Sequence, residues 1–216
     1  MDGAGEIRAA GSGGDGGDAE QRLVVVGHDV RSLANVGTLF RSCDGAGVSE
    51  LVLSGFTGTP PDRRIDKVAL DAVDMVPWRH TPERVDLERV FEGRHVVVLE
   101  QHPEARSLTT LDLPATGDVV LVACEELFGA PEWLLQRADT VLELPMRGRK
   151  DSLNVAVAAS IAMYAIADRL WGTPDASLAS RQDRPPVREG VLTRGVTTGA
   201  ERDTAPPPPR LGTKLD

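Results

Sequence analysis

Aromatic side chains are scarce in this chain: three tryptophans, one tyrosine and four phenylalanines in 216 residues. Bases are outnumbered too, 24 Lys and Arg against 33 Asp and Glu, for a formal net charge of −9. That sign excludes a protein that grips nucleic acid by its overall field, so a polyanion must be met by local basic patches. The two cysteines, Cys43 and Cys124, form neither a disulfide framework nor a metal-ligand spacing. Their apolar or small-residue settings suit a reducing compartment, and no metal is expected. No apolar run is long enough to cross a bilayer, and the first residues lack the basic and apolar segments of a signal peptide. A cytoplasmic protein is expected.

What is present divides into three parts. Residues 1–20 are Gly-, Ala- and Asp-rich and carry a net charge of −4. Residues 172–216 are rich in Pro, Arg and Thr and carry the run Pro206–Pro209. Neither stretch buries enough apolar surface to offset ordering entropy, so both are expected to be disordered tails. The domain expected to fold is residues 21–171, long enough for a substantial core.

Within it, short apolar runs alternate with helical patterns. Strands are expected at Leu23–Gly27, Leu51–Ser54, Met75–Arg79, Val96–Leu99, Val119–Ala123 and Val141–Leu144. Helices are expected at Asn35–Gly45, with Asn35 as N-cap and Gly45 as stop, at Asp62–Val73, and from a Thr81-Pro82 start through Phe91. Two more follow at Pro131–Arg137 and Ser152–Leu170. Near-continuous apolar strands separated by helices imply an α/β fold, with a mainly parallel sheet covered on both faces. The glycines of residues 11–17 precede the first strand instead of following it, so they make no dinucleotide-binding fingerprint.

Three stretches stand out. Leu144–Ile161 reads LPMRGRKDSLNVAVAASI, a Pro-containing turn and basic loop in front of an Ala-rich helix. Helix starts carry unsatisfied N–H donors and partial positive charge, which suits them to ligands. Asn35–Val48 contains N-x-G-x-x-x-R, and Val122–Asp139 places E-x-x-G at Glu126–Gly129 after an apolar strand. In this order and at these separations, the three resemble the signature motifs of SpoU-type RNA ribose 2'-O-methyltransferases of the SPOUT superfamily. The likeness runs from about Leu23 to Leu170. The intervening PPDRRIDKVALDAVDMVPW resembles the tRNA-methylating branch.

The resemblance implies a C-terminal trefoil knot, a homodimer in which both subunits build the site, and S-adenosylmethionine as cofactor. It places Arg41, Asn35, Glu126, Ser152 and Asn154 in the catalytic site. It makes Gln101, Cys124, Gly129, Leu144, Met146 and Leu153 cofactor neighbours. Arg63, Arg64 and Lys67, with Arg147, Arg149 and Lys150, are the candidate RNA contacts; taken alone, the first set reads at least as well as a solvated charged face. Ser152 and Asn154 double as caps of the last helix. Gly37, four residues before Arg41 on one helix face, is expected to leave space below the guanidinium.

One position departs from the family pattern, since Cys124 stands where a glycine usually opens the second motif. If the backbone there needs positive φ, the Cβ is costly; otherwise the loop has a different conformation. With eight aromatics there is little surface for stacking on splayed single strands, so RNA shape is the expected cue. The competing reading is a non-catalytic RNA-binding or assembly protein that kept the fold.

Overall fold

The computed structural model describes residues 20–125 and 127–172. Apart from Glu20 and Gly172, the two expected tails lie outside the described residues, as does Glu126. In chain order the elements are β1 (Leu23–His28), α1 (Leu33–Ala46), β2 (Glu50–Ser54), α2 (Arg63–Ala69), α3 (Ala72–Met75), β3 (Trp78–Thr81) and α4 (Arg84–Phe91). There follow β4 (His95–Leu99), β5 (Arg106–Ser107), a 3-10 turn at Leu108–Thr110, β6 (Val119–Cys124), α5 (Glu132–Arg137), β7 (Thr140–Glu143) and α6 (Val155–Trp171).

Among the described residues the strands form one sheet in the order β3-β2-β1-β6-β4-β7-β5, with every pairing parallel. Alternate residues of each strand face opposite ways, and both sides are covered. On one side Leu23, Val25, Leu51 and Leu121 pack with α1, α2, α3 and α6 through Leu39, Phe40, Ile65, Ala72 and Met163. On the other, Val24, Val26, Val96 and Val120 pack with α4 and α5 through Leu87, Phe91 and Leu134. This explains why all six residues of β1 are buried. The expected α/β architecture, a parallel sheet with helices on both faces, is the one observed.

Local expectations fail where a better partner was nearby. Helix α1 is capped by Ser32, whose side chain accepts the Asn35 N–H at 3.3 Å, so Asn35 lies inside the first turn and is not the cap. The helix runs past Gly45 and stops at Gly47, in the left-handed region at φ 73°. Gly45 stays helical beneath Tyr164, where a Cβ would collide with the phenol oxygen. The stretch expected as one helix over Asp62–Val73 breaks at Leu70, φ 53°, into α2 and α3. Thr81 is taken by β3, paired with Ser54, so α4 starts after Glu83. Helix α6 begins three residues later than expected, after Asn154. The two-residue strand β5 gave no apolar signal in the sequence.

Candidate active site

Open parallel sheets gather ligands beyond the carboxyl ends of their strands, where the strand order reverses. Here β1 leads outward to β2 and β3, while its other neighbour is β6. The first motif runs through α1, which follows β1, while the second and third include the loops that follow β6 and β7.

The first and third motifs are joined directly. Asn154 is the N-cap of α6: its Oδ1 accepts the Ala156 and Val157 N–H groups at 3.0 and 3.2 Å. Its Nδ2 donates to Oδ1 of buried Asn35 at 3.0 Å. One side chain therefore both starts α6 and ties it to α1. The loop before α6 is held to the end of β4, where Gln101 Nε2 donates to the Asp151 carbonyl. Ser152 is exposed and reaches only Asp151 Oδ1, at 3.5 Å, so it does not share the capping role expected of it.

The second motif meets β4 as well. Gly129 sits at φ 67°, and a Cβ there would strike the carboxylate of Glu100. That carboxylate accepts the Ala130 N–H at 2.7 Å and the Gln101 N–H at 2.9 Å. Sequence reading passed over Glu100; an acid immediately after a fully apolar strand was the available signal. Cys124 closes β6 opposite His28, buried and outside the positive-φ residues. Burial, and then the carboxylates of Glu100, Asp29 and Glu125, push its thiol up, away from nucleophile chemistry.

Leu144 and Met146 are half-buried just beyond β7, and Leu153 is exposed. Arg41 is exposed and makes no ion pair or hydrogen bond among the described residues. The space left by Gly37 is filled by α2, since a Cβ there would lie 2.7 Å from the Ile65 carbonyl oxygen. It therefore serves helix packing and leaves no room beneath Arg41, contrary to expectation. Arg63, Arg64 and Lys67 are exposed on α2, while Arg147, Arg149 and Lys150 are exposed in the β7–α6 loop. Arg64 is engaged by Asp62 at 2.9 Å, and its side-chain and backbone hydrogen bonds hold the Asp62 carboxyl down to about 2.

The ends of β1 and β2 add residues that motif reading missed. Asp29 adopts φ 57°, with Oδ1 accepting the Phe56 N–H at 3.0 Å across Gly55, itself at φ 63°. His28 places Nδ1 2.9 Å from Ser54 Oγ and Nε2 3.3 Å from Asp29 Oδ2, edge-on to Trp133. Burial lowers its pKa, against the opposing pull of Asp29 and Glu125. Arg31 donates to Glu125 Oε2 at 2.9 Å, with its guanidinium 5.3 Å from the Phe56 ring centroid and 5.9 Å from that of Phe128. No described cluster of His, Cys, Asp or Glu could hold a metal ion, and no described helix is long and apolar enough to cross a membrane.

Comparison with known proteins points the same way. The 23S rRNA (guanosine-2'-O-)-methyltransferase RlmB of Coxiella burnetii is 27% identical over 150 residues, covering 67% of this chain and 57% of the relative. An AdoMet-bound rRNA methyltransferase from Sinorhizobium meliloti superposes with a TM-score of 0.64 at 29% identity, over 70% of this chain and 57% of that one. A chain solved in work on 2-OH methylation of C/U34 on tRNA gives 0.63 at 27% identity, over 72% of this chain and 100% of its own. The chain spans 53–61% of the length of such curated relatives. The SpoU rRNA Methylase family model matches residues 22–164, from the start of β1 well into α6, and the chain belongs to that family.

Proposed function

We propose that this chain is an S-adenosylmethionine-dependent RNA ribose 2'-O-methyltransferase acting on structured tRNA or rRNA, working in the cytoplasm as a homodimer with a C-terminal trefoil knot. The observation that carries the reading is the Asn35–Asn154 hydrogen bond, which joins the first motif to the third, 119 residues apart. The described residues fit the cofactor. Leu144, Met146 and Leu153 offer partly exposed apolar surface of the kind an adenine needs, next to loop main chain. Gly129 keeps the neighbouring turn free of a side chain.

When bound, S-adenosylmethionine supplies an electrophilic methyl group. The protein's part is alignment and electrostatics. A guanidinium stays protonated, so Arg41 stabilises negative charge developing on the ribose oxygen and clamps the neighbouring phosphate. It makes no ion pair or hydrogen bond among the described residues, so its donors are open to a ligand. Asn154 and Asn35 hold the start of α6 against α1, while Gln101 fixes the preceding loop. Ser152 and Glu126 are assigned to the same site on the motif pattern. Arg63, Lys67, Arg147, Arg149 and Lys150 are proposed phosphate contacts on an otherwise acidic domain.

The knot is supported by strand order. Leu99 and Arg106 both flank Leu142, so residues 100–105 arch across the end of β7, and the segment leaving β7 is bonded to that arch through Gln101. The homodimer is supported by Val157, Ile161 and Tyr164, apolar residues exposed at helical spacing on α6. A structural neighbour named for tRNA methylation that is matched over its full length tilts the substrate toward tRNA.

Incubation with methyl-labelled S-adenosylmethionine and bulk tRNA or rRNA is expected to give 2'-O-methylated nucleotides on digestion. Label on a base excludes the proposed chemistry. Binding of RNA and cofactor without transfer supports the non-catalytic reading instead.

A further inference from the structure

Eight aromatic residues serve the whole chain, yet Phe56 and Phe128 stand 57% and 74% exposed at the carboxyl ends of β2 and β6. Both are in reach of one guanidinium, that of Arg31, at 5.3 and 5.9 Å. Exposure of this kind costs stability unless something covers it. The positions are built: the Phe56 N–H is fixed by Asp29, and Phe128 lies in the turn that Gly129 closes against Glu100. Arg31 is over half exposed, but Glu125, whose side chain is only 10% exposed, already holds its charge at 2.9 Å.

A cation paired in this way is a weak lure for phosphate. What remains open to a ligand is two ring faces and a guanidinium plane. We propose that Arg31, Phe56 and Phe128 form a stacking platform for an unpaired RNA base beside the ribose site. An unstacked base supplies the matching π-face, whereas a base inside a duplex keeps both faces covered. An unpaired nucleotide that brings its ribose to the β1, β4, β6 and β7 loops carries a base with a free face, and these rings offer that face a surface. This inference rests on the RNA methyltransferase reading. It revises the expectation that RNA shape is the cue, because two of the eight aromatics, Phe56 and Phe128, stand exposed where a base would land.

The test is equilibrium binding of the full chain, without cofactor, to an RNA hairpin with 2-aminopurine in its unpaired loop and to a blunt duplex of the same composition. Phe56→Ala and Phe128→Ala are each expected to weaken hairpin binding by about five- to a hundred-fold. Their 2-aminopurine quenching should be lost, with duplex affinity, S-adenosylhomocysteine affinity and thermal midpoint unchanged, and Phe128→Trp should restore it. Unchanged hairpin affinity in both alanine variants overturns the platform, as does an equal loss on hairpin and duplex. A fall in molar mass by light scattering in either variant overturns it in favour of contact between protein copies. If methyl transfer is absent while the loop-selective loss is found, the activity reading fails and the platform stands; transfer with unaltered loop affinity gives the reverse.

Discussion

Arg41 makes no ion pair or hydrogen bond among the described residues, which leaves its guanidinium open to whatever binds beside it. Arg41→Ala is accordingly expected to lower kcat by on the order of a hundred- to a thousand-fold, the scale of a lost oxyanion donor. S-adenosylhomocysteine affinity and thermal midpoint should stay near wild type. Transfer at the normal rate in that variant removes Arg41 from the chemistry. Cys124 is the opposite case, a buried side chain at the end of a central strand in ordinary extended backbone. With no positive φ to relieve, Cys124→Gly adds only unfolded-state freedom and a small void. A destabilisation of about 1–2 kcal/mol by urea unfolding is expected, with no gain in cofactor affinity. Tighter calorimetric binding of S-adenosylhomocysteine to the glycine variant is the result that contradicts this account.

At the scale of elements, α6 depends on one amide. Asn154→Ala removes the N-cap and the bond to Asn35 together. The cap alone is worth about 1 kcal/mol, so a larger loss is expected, shared with Asn35→Ala in a double-mutant cycle. Strict additivity of the two substitutions is the outcome that denies the link. The same residue marks how far the sequence could be read. Asn154 was legible as a cap because capping is local chemistry: a polar side chain immediately ahead of an apolar helix. Its bond to Asn35 was not, since nothing in either segment specifies a partner 119 residues away. The long buried strands were legible from their valines. The two-residue β5 was not, because an edge pairing so short leaves no periodicity. Ser32 was overlooked as the start of α1 because Asn35 offered a second polar candidate. The three motifs marked the proposed site on the chain, and Glu100, Arg31 and Phe56 come beside those segments only through loops that the topology brings together.

For the molecule as a whole, acid sensitivity is expected in two steps. Burial lowers the pKa of His28, so the fold prefers the neutral ring. The stability this contributes is present above the ordinary histidine value near 6.5 and is lost as pH falls below it. Burial works against the Asp118 carboxylate, but hydrogen bonds from Arg22 and Arg94 outweigh it and lower its pKa. That contribution is present above about 3.9 and disappears as pH falls further. Urea midpoints measured across pH should decline first as pH falls below about 6.5, and His28→Asn should flatten that limb alone. An unaltered limb in the variant rules out His28 as its source.

The sheet order also sets a timetable. One edge of β1 pairs with β2, but its other edge waits for β6, and Leu23 meets Val119, 96 positions further along the chain. At typical ribosomal speeds of about 5–20 residues per second, that is an interval on the order of ten seconds. A fully apolar strand stands with one ladder of N–H and C=O groups unfilled throughout. Until β6 emerges, the central strand of the future sheet is an edge strand, open to any other extended chain. High non-local pairing of this kind slows folding as well as exposing it. The demand on chaperones therefore falls between the emergence of β1 and that of β6, before any residue of the third motif has left the ribosome.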